Sequence, residues 1–229
     1  MAFIFHNGKN DLTEKIEREL ADDNTKLFVV GGDGTFLKAL AHFSYGEIPL
    51  VFGFKNGTVN FLLPFNISLL PEVYREIKTK IFKSVERSRL HLTSHKRLFV
   101  NELVIRSSEF RLNTFEIEVN GSSFSLKGSE IVVATQTGST GYSASLGGPL
   151  LLTNSVIINC SAPNRCNFKS IVLPASAKIR ITAERCMGYL DGKAVEGETF
   201  EIEEGDNFKM AIPDDYDSGK LIENIFFNL

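Results

Sequence analysis

The chain is poor in cysteine, has no long apolar run and has no excess of basic residues. Its three cysteines are an odd number without CxxC spacing, which favours reduced thiols over disulfides or zinc ligands. No apolar stretch reaches membrane-spanning length, and the N-terminal residues lack the basic region and long apolar core of a signal peptide. We therefore expect a cytoplasmic protein that does not act in a membrane.

The charge pattern argues against a second class of function. The formal net charge is −3 and no basic run with interleaved aromatic residues is present, so a nucleic-acid binder is not expected. The four histidines are scattered, which favours structural roles over metal ligation. A chain of 229 residues is long enough to bury a core in one large or two small domains.

The first informative motif is KLFVVGGDGTFLKAL, at residues 26–40. Its apolar run, residues 27–30, is short and bounded by glycine, which is typical of a buried parallel strand. Apolar residues then recur at helical spacing from Phe36 to Ala41, so the glycines lie where a strand turns into a helix. The turn contains neither the GxxxxGK[ST] sequence of a P-loop nor the GxGxxG sequence of a Rossmann dinucleotide site.

The turn itself, GGDG at residues 31–34, indicates phosphate chemistry. Glycines without a Cβ let a phosphate approach the backbone N–H groups at a helix N-terminus, where the helix dipole favours negative charge. Asp33 would repel that phosphate unless it holds a metal, orients a hydroxyl or receives a proton, which favours phosphoryl transfer. For GGDG taken alone, a turn in which Asp33 only caps the helix is an equally good interpretation.

The second motif, GSEIVVATQTGSTGYSASLGGPLL, begins at Gly128 and ends at Leu152. The apolar residues 131–134 predict a buried strand, and a loop dense in hydroxyl groups follows it. Such a loop can hydrogen-bond ribose and phosphate oxygens, and Tyr142 offers an aromatic face to a base. A flexible surface loop has the same composition, but the apolar runs on both sides favour a loop packed into the domain.

Together these motifs resemble those of NAD kinases. The resemblance also rests on GFKNGTVNFL at residues 53–62 and on the pairs Asn101-Glu102 and Asp191-Gly192, in the family's order. GGDG is shared with phosphofructokinases and with diacylglycerol and sphingosine kinases, whereas TGSTGYSASLGGP at residues 137–149 is more specific. The resemblance implies transfer of the γ-phosphoryl group of ATP, as its Mg²⁺ complex, to the adenosine ribose 2′-hydroxyl of NAD, giving NADP.

The resemblance also implies roles for individual residues. Asp33 is expected to be catalytic by positioning the hydroxyl and accepting its proton late, and no side chain is expected to bind metal. The residues expected to contact substrate or nucleotide are Gly32, Gly34, Thr35, Phe61, Asn101, Glu102, Lys127, Ser129, Thr137, Thr140, Gly141, Tyr142, Ser145, Asp191 and Gly192. ATP and NAD are the expected partners, together with further copies of the chain in a dimer or tetramer.

Some of these residues have plainer interpretations when the resemblance is set aside. Asn101 and Glu102 then become a polar pair on an exposed edge. Lys127 becomes a solvated lysine, and Asp191 becomes only the first residue of a tight turn.

The chain departs from the family pattern at several positions. An Asp-Gly pair is replaced by Ser129-Glu130, a Pro by Gln136, an Ala by Gly141 and a Gly by Asn60. Similar proteins use the missing acid to hold the nicotinamide end of the substrate. We therefore expect that end to be held more weakly, and Ser129→Asp to tighten NAD binding. The preference between NAD and NADH is left open.

The order of predicted elements divides the chain near residue 85. Before it, helices at 11–20, 35–43 and 71–81 alternate with strands, which predicts a Rossmann-like layered α/β domain over residues 1–85. After it, strand patterns predict an all-β, sandwich-like domain over residues 86–212. The strands predicted there are 97–105, 110–119, 123–126, 131–135, 156–160, 178–182 and 199–203. The resemblance adds that a tail, about 213–229, packs back on the first domain through Phe226 and Phe227.

Two other functions remain compatible with the sequence. A GGDG-type lipid kinase would need an apolar acceptor groove, which the hydroxyl-rich loop does not suggest. A non-catalytic dinucleotide sensor of the same fold would fit the missing acid at position 129, whereas the retained Asp33 favours an enzyme.

Overall fold

The structure is a computed structural model that describes residues 3–6, 13–14, 18, 25–43, 48–56, 62–77, 79–164 and 166–216. Asn60, Phe61, most of the helix predicted at 11–20, and the predicted anchors Phe226 and Phe227 lie outside the described residues. The described chain forms two compact units. One takes the residues as far as Arg87 together with those from Phe208 onwards, and the other is Ser88–Asn207.

The described elements are mostly strands. In chain order they are β1 (Phe3–His6), β2 (Lys26–Gly31), β3 (Leu50–Lys55), β4 (Phe65–Asn66), β5 (Ser84–Arg87), β6 (Leu90–Leu92), β7 (Arg97–Phe99), β8 (Glu102–Ser107), β9 (Asn113–Val119), β10 (Ser122–Gly128), β11 (Glu130–Ala134), β12 (Ser155–Ser161), β13 (Ser170–Pro174), β14 (Ile179–Thr182), β15 (Cys186–Leu190), β16 (Lys193–Glu196), β17 (Thr199–Glu204) and β18 (Phe208–Ala211). The described α-helices are α1 (Asp33–Leu40), α2 (Leu70–Glu76) and α3 (Tyr142–Ser145), and short 3-10 turns occupy Ile67–Leu69, Thr93–His95 and Thr137–Thr140. No helix in these described ranges is long and apolar enough to cross a membrane.

The first unit is built on one six-stranded sheet, in the order β1-β2-β3-β18-β5, with β4 beside β3. Strands β1, β2 and β3 run parallel, and Val30 of β2 lies opposite Phe54 of β3. Phe28 and Phe52 stack with ring centroids 5.3 Å apart, and both side chains are fully buried. The predicted buried strand over residues 27–30 is confirmed, because a parallel strand covered on both faces is apolar throughout.

The helices of this unit match the predictions in part. The helix predicted at 35–43 is α1, which begins at Asp33 and ends at Leu40. The helix predicted from Pro71 to Ile81 is α2, but it ends at Glu76 and Ile81 is 97% exposed. The carbonyl of Glu76 accepts from the N–H groups of both Thr79 and Lys80, and the hydrogen bonds of the helix end at this turn.

The second unit is a sandwich of two antiparallel six-stranded sheets, as predicted. One sheet has the order β10-β9-β14-β17-β6-β7 and the other has the order β13-β12-β11-β8-β15-β16. Side chains from both sheets meet in one core, with Phe115 and Phe200 from the first and Ile105, Ile131 and Val133 from the second. These inward-facing apolar residues stand at every second position of their strands, which is the pattern that predicts a sandwich.

Two boundaries differ from the predictions. The strand predicted at 97–105 is two strands in different sheets, because the chain crosses from β7 to β8 at Val100 and Asn101. The domain predicted at 86–212 includes β18, but Met210 pairs with Val51 of β3, and Phe208 pairs with Arg87 of β5. Strand β18 therefore completes the sheet of the first unit.

Candidate functional site

The GGDG turn links β2 to α1 in the first unit. Gly32 has extended backbone and its carbonyl accepts from the N–H groups of Thr35 and Phe36, at 2.9 and 3.1 Å, so Gly32 is the N-cap. Asp33 is the first helical residue, and its Oδ1 accepts from the N–H of Leu62 at 3.0 Å. The carboxylate therefore binds a loop distant in sequence, and the interpretation of Asp33 as a simple helix cap does not fit this geometry.

The three glycines of this turn differ in what surrounds them. A Cβ on Gly31 would lie 2.6 Å from Oγ1 and 2.9 Å from Cβ of Thr35, so packing alone requires glycine there. A Cβ on Gly32 or Gly34 would meet no heavy atom of the described residues within 4 Å. Among the described residues the space over the N-terminus of α1 is open, and backbone N–H groups and the helix dipole there favour an anion.

In the second unit, Asp191 fixes the crossing between the two sheets. Its carboxylate accepts from the backbone N–H groups of Val100, Asn101 and Glu102 at 2.9, 2.8 and 3.2 Å. Asp191 and Gly192 have φ values of 46° and 79° and form the turn between β15 and β16. Asp191 is therefore a turn residue, as the plainer interpretation has it, and also the anchor of the segment that carries Asn101 and Glu102.

The hydroxyl-rich loop after β11 packs on the same crossing. The N–H of Thr135 donates to the carbonyl of Asn101 at 2.9 Å, and its hydroxyl donates to the carbonyl of Val100. A Cβ on Gly138 would lie 2.0 Å from the carbonyl oxygen of Asn101, so only glycine fits. The loop is packed into the domain, as the apolar runs on either side of it predict.

Three buried polar atoms at this junction lack a hydrogen-bond partner among the described residues. They are Oδ1 of Asn101, Oε2 of Glu102 and Oγ1 of Thr137. A buried polar atom left unsatisfied costs about 1–3 kcal/mol, so native structures rarely keep several together. The cluster is what a site for a ligand rich in hydroxyl and amide groups requires.

Glu102 is the titratable group of this cluster. Burial, together with the nearby Asp191 charge, raises the pKa of Glu102 to about 7, and the backbone of Tyr142 partly opposes this shift. A Cβ placed on Gly141 would lie 3.1 Å from Oε2 of Glu102. The glycine that replaces the family's alanine therefore leaves room beside this oxygen.

Tyr142 begins α3 and borders the same cluster. Its side chain is 39% exposed, and its hydroxyl donates to Oε1 of Glu130 at 2.5 Å. That hydrogen bond, together with burial, raises the pKa of Tyr142 to about 12. The aromatic face predicted to meet a base is thus present at the surface, on a ring held by a buried carboxylate.

Comparison with known proteins matches this arrangement. The family model described as the ATP-NAD kinase C-terminal domain matches residues 100–209. The NAD kinase of Thermotoga maritima is 30% identical over 183 residues, which span 77% of this chain and 70% of the relative. This chain belongs to the NAD kinase family.

Two further relatives are similar in sequence to this chain over most of its length. The NAD kinase of Trichlorobacter lovleyi is 28% identical over 207 residues, or 85% of this chain and 72% of the relative. The mitochondrial NADH kinase of Saccharomyces cerevisiae is 28% identical over 177 residues, which span 72% of this chain and 43% of the relative.

Two solved structures share the fold. The NAD kinase of Archaeoglobus fulgidus in complex with ATP has a TM-score of 0.79 at 23% identity, covering 100% of this chain and 97% of that one. The yeast NADH kinase in complex with NADH has a TM-score of 0.81 at 24% identity, covering 93% of this chain and 69% of that one. The predicted combination of an α/β part with a β-sandwich is therefore the fold of NAD kinases.

The other residues predicted to contact substrate include Thr140, Ser145, Lys127 and Ser129. The hydroxyl of Thr140 donates to the carbonyl of Thr137 at 3.1 Å, within the loop, and Ser145 is exposed at the end of α3. Lys127 is exposed on β10, which belongs to the other sheet. The hydroxyl of Ser129 donates to the carbonyl of Ser161 at 3.2 Å.

Sequence reasoning missed two polar residues in this unit. Glu130 is named from the sequence only as a departure from the family pattern, with no role of its own, and its contact with Tyr142 joins residues that the alternation pattern cannot connect. Asn159 is fully buried in β12 and donates to Oγ of Ser143 at 2.7 Å, which ties α3 to the sheet. A single amide inside the apolar run VIINC was the signal that could have identified Asn159.

Proposed function

We propose that this chain is an NAD kinase that transfers the γ-phosphoryl group of ATP to the adenosine ribose 2′-hydroxyl of NAD, giving NADP. Family membership supplies the reaction. The observation that carries the assignment to this chain is the cluster of unsatisfied buried atoms on Asn101, Glu102 and Thr137. An adenosine presents the matching groups, because its sugar hydroxyls and base edge offer both donors and acceptors.

Asp33 is proposed as the catalytic residue. Phosphoryl transfer passes through a loose transition state in which little proton removal is needed early, so orienting the acceptor hydroxyl is the main requirement. The N–H of Leu62 holds one carboxylate oxygen of Asp33 at 3.0 Å and fixes the direction of the side chain. The carboxylate can then orient the hydroxyl and accept its proton as the new phosphate ester forms.

The N-terminus of α1 is proposed to face the phosphates. Gly32, Gly34 and Thr35 place backbone N–H groups there, and the open space over both glycines lets the phosphate oxygens approach. No group of three or more His, Cys, Asp or Glu side chains in the described ranges could hold a metal ion. Following the family resemblance, we propose that Mg²⁺ enters with ATP, as part of the substrate complex.

In the second unit, Asn101 and Glu102 are proposed to bind the adenosine, together with Thr137, Thr140 and Gly141 of the loop. Tyr142 is proposed to pack its ring face on a base. Lys127, Ser129, Ser145 and Phe61, the last of which lies outside the described residues, stay predictions that rest on the family resemblance. The cytoplasmic location and the homo-oligomeric state also stay predictions.

The decisive experiment incubates the purified protein with ATP, Mg²⁺ and NAD and measures NADP with an NADP-specific dehydrogenase. Parallel reactions contain NADH in place of NAD, or polyphosphate in place of ATP. We expect NADP to form only with a donor present and not with Asp33→Asn. A protein that binds NAD but makes no NADP or NADPH in any reaction would instead be a dinucleotide sensor of the same fold.

A further inference from the structure

Glu130 is a buried carboxylate for which neither the motifs nor the proposed reaction gives a role. It is the first residue of β11 and is only 8% exposed. Its Oε1 accepts from the hydroxyl of Tyr142 at 2.5 Å, which is short for a hydrogen bond and typical of a charged acceptor. Burying a carboxylate is costly unless it is hydrogen-bonded, so this pairing requires an explanation.

The side chain of Glu130 lies on the face of its sheet that points away from the core between the two sheets. Along β11, Ile131 and Val133 point into the core between the two sheets. Val132 and Ala134 lie on the opposite face, and Glu130 shares that face because side chains alternate along a strand. The helix α3 packs on β11, which brings Tyr142 over this face.

Glu102 lies on the same face as Glu130. Ala134 of β11 is directly opposite Glu102 of β8 in the antiparallel register, and directly opposite residues share a face. By the same register Glu130 is opposite Arg106, whose charge acts on Tyr142. Glu102, which carries one of the unsatisfied atoms, and Glu130, which meets Tyr142, thus lie on one face of one sheet.

The hydroxyl of Tyr142 is held by one of these two acids. It donates to Oε1 of Glu130 at 2.5 Å, and the backbone of the same residue acts on the carboxylate of Glu102. Because the hydroxyl hydrogen is used by Glu130, Tyr142 cannot donate that hydrogen to a ligand. What it offers is the face of its ring, on a residue that is 39% exposed.

Residue 129 does not take part in this arrangement. The hydroxyl of Ser129 donates to the carbonyl of Ser161, and the N–H of Ser129 donates to the same carbonyl at 2.9 Å. The carboxylate at this end of β11 comes from residue 130 alone.

We propose that Glu130 is a positioning residue for the dinucleotide: it holds the ring of Tyr142 in the orientation in which the ring face packs on a base of the bound substrate. The inference rests on the proposed function and deepens it by naming what fixes the geometry of that contact. Without Glu130, the ring is free to take other rotamers, and binding must restore its orientation at a cost in affinity.

The test is a double-mutant cycle on the full chain, with NAD affinity measured by calorimetry for wild type, Glu130→Ala, Tyr142→Ala and the double variant. We expect Glu130→Ala to weaken NAD binding about tenfold, which corresponds to about 1.4 kcal/mol. In the Tyr142→Ala background the same change should alter the affinity less than about twofold, because the ring that Glu130 positions is absent. Glu130→Gln keeps an acceptor oxygen and should retain most of the affinity.

Three further measurements separate positioning from a general structural role. ATP affinity and the melting temperature of Glu130→Ala should stay at the wild-type values. Glu116→Ala, which removes an exposed carboxylate on the other sheet, is the control for loss of one charge. Ultraviolet titration of the tyrosines should show one phenol that ionises at lower pH in Glu130→Gln than in wild type.

Additive losses in the cycle, or NAD affinity unchanged in Glu130→Ala, would overturn the inference while leaving the proposed function intact if wild type makes NADP. A wild-type protein that does not bind NAD overturns both. Should Glu130→Ala fail to fold, Tyr142→Phe keeps the ring and removes only the hydroxyl. Unchanged NAD affinity in a folded Tyr142→Phe would also overturn the inference.

Discussion

Glu102→Gln should make the stability of the unliganded protein less dependent on pH. Burial raises the pKa of Glu102 from its ordinary 4.5 to about 7, so the folded protein holds this proton more tightly than the unfolded chain does. The favourable contribution of the group is therefore complete below its unfolded pKa. It is lost as pH rises from 4.5 to about 7.

The size of the change in unfolding free energy follows from the difference between the folded and unfolded pKa values of Glu102. Each pH unit in which only the folded protein keeps the proton removes about 1.4 kcal/mol, so the ionised Glu102 costs roughly 3 kcal/mol above pH 7. Glutamine is neutral at every pH and resembles the protonated acid. The variant should match wild type near pH 4 and exceed its unfolding free energy by up to roughly 3 kcal/mol near pH 8.

The assay is urea unfolding followed by circular dichroism at several pH values, without nucleotide. Glu116→Gln, at an exposed position on β9, controls for the loss of one negative charge. A Glu102→Gln difference that is flat across this pH range, or that has the opposite sign, would refute the assignment of Glu102 as a buried acid next to Asp191.

Four further outcomes are expected. Asp33→Asn should lower the rate of NADP formation at least about 100-fold with NAD affinity nearly unchanged, since the carboxylate acts on the hydroxyl in the transition state. If Asp33 is not catalytic, the variant would show a rate near that of wild type in single-turnover kinetics. Gly138→Ala should lower the free energy of unfolding by roughly 2–4 kcal/mol, because its Cβ would lie 2.0 Å from the carbonyl oxygen of Asn101. Gly32→Ala, whose Cβ meets no described atom within 4 Å, is the control and should have a melting temperature near that of wild type. Tyr142→Ala should weaken NAD binding by about 1–3 kcal/mol in calorimetry, the range for base–aromatic stacking, and an unchanged dissociation constant would make it only a structural aromatic. Ser129→Asp, which the sequence alone predicts to tighten NAD binding, should leave the NAD affinity no higher, because an ionised Asp cannot donate to the Ser161 carbonyl that the serine hydroxyl meets. A tighter complex would support the prediction from sequence instead.

The sequence alone determined the local units of this protein. The strand at residues 27–30, the turn through Asp33 and the helix after it follow from an apolar run, adjacent glycines and helical spacing, all within 15 residues of sequence. The turn at Asp191 and Gly192 follows from residues that tolerate positive φ. Alternating apolar residues predicted the sandwich, because only one face of each strand meets the core.

Only the tertiary structure decided how these units combine into a site. The carboxylate of Asp191 holds Asn101 and Glu102, about ninety positions earlier in the chain, at the break between β7 and β8. The return of β18 to the first sheet likewise depends on strand pairing across more than a hundred residues. Side-chain hydrogen bonds such as that from Tyr142 to Glu130 leave no periodic trace in sequence, because they depend on which faces and loops the completed sheets bring together.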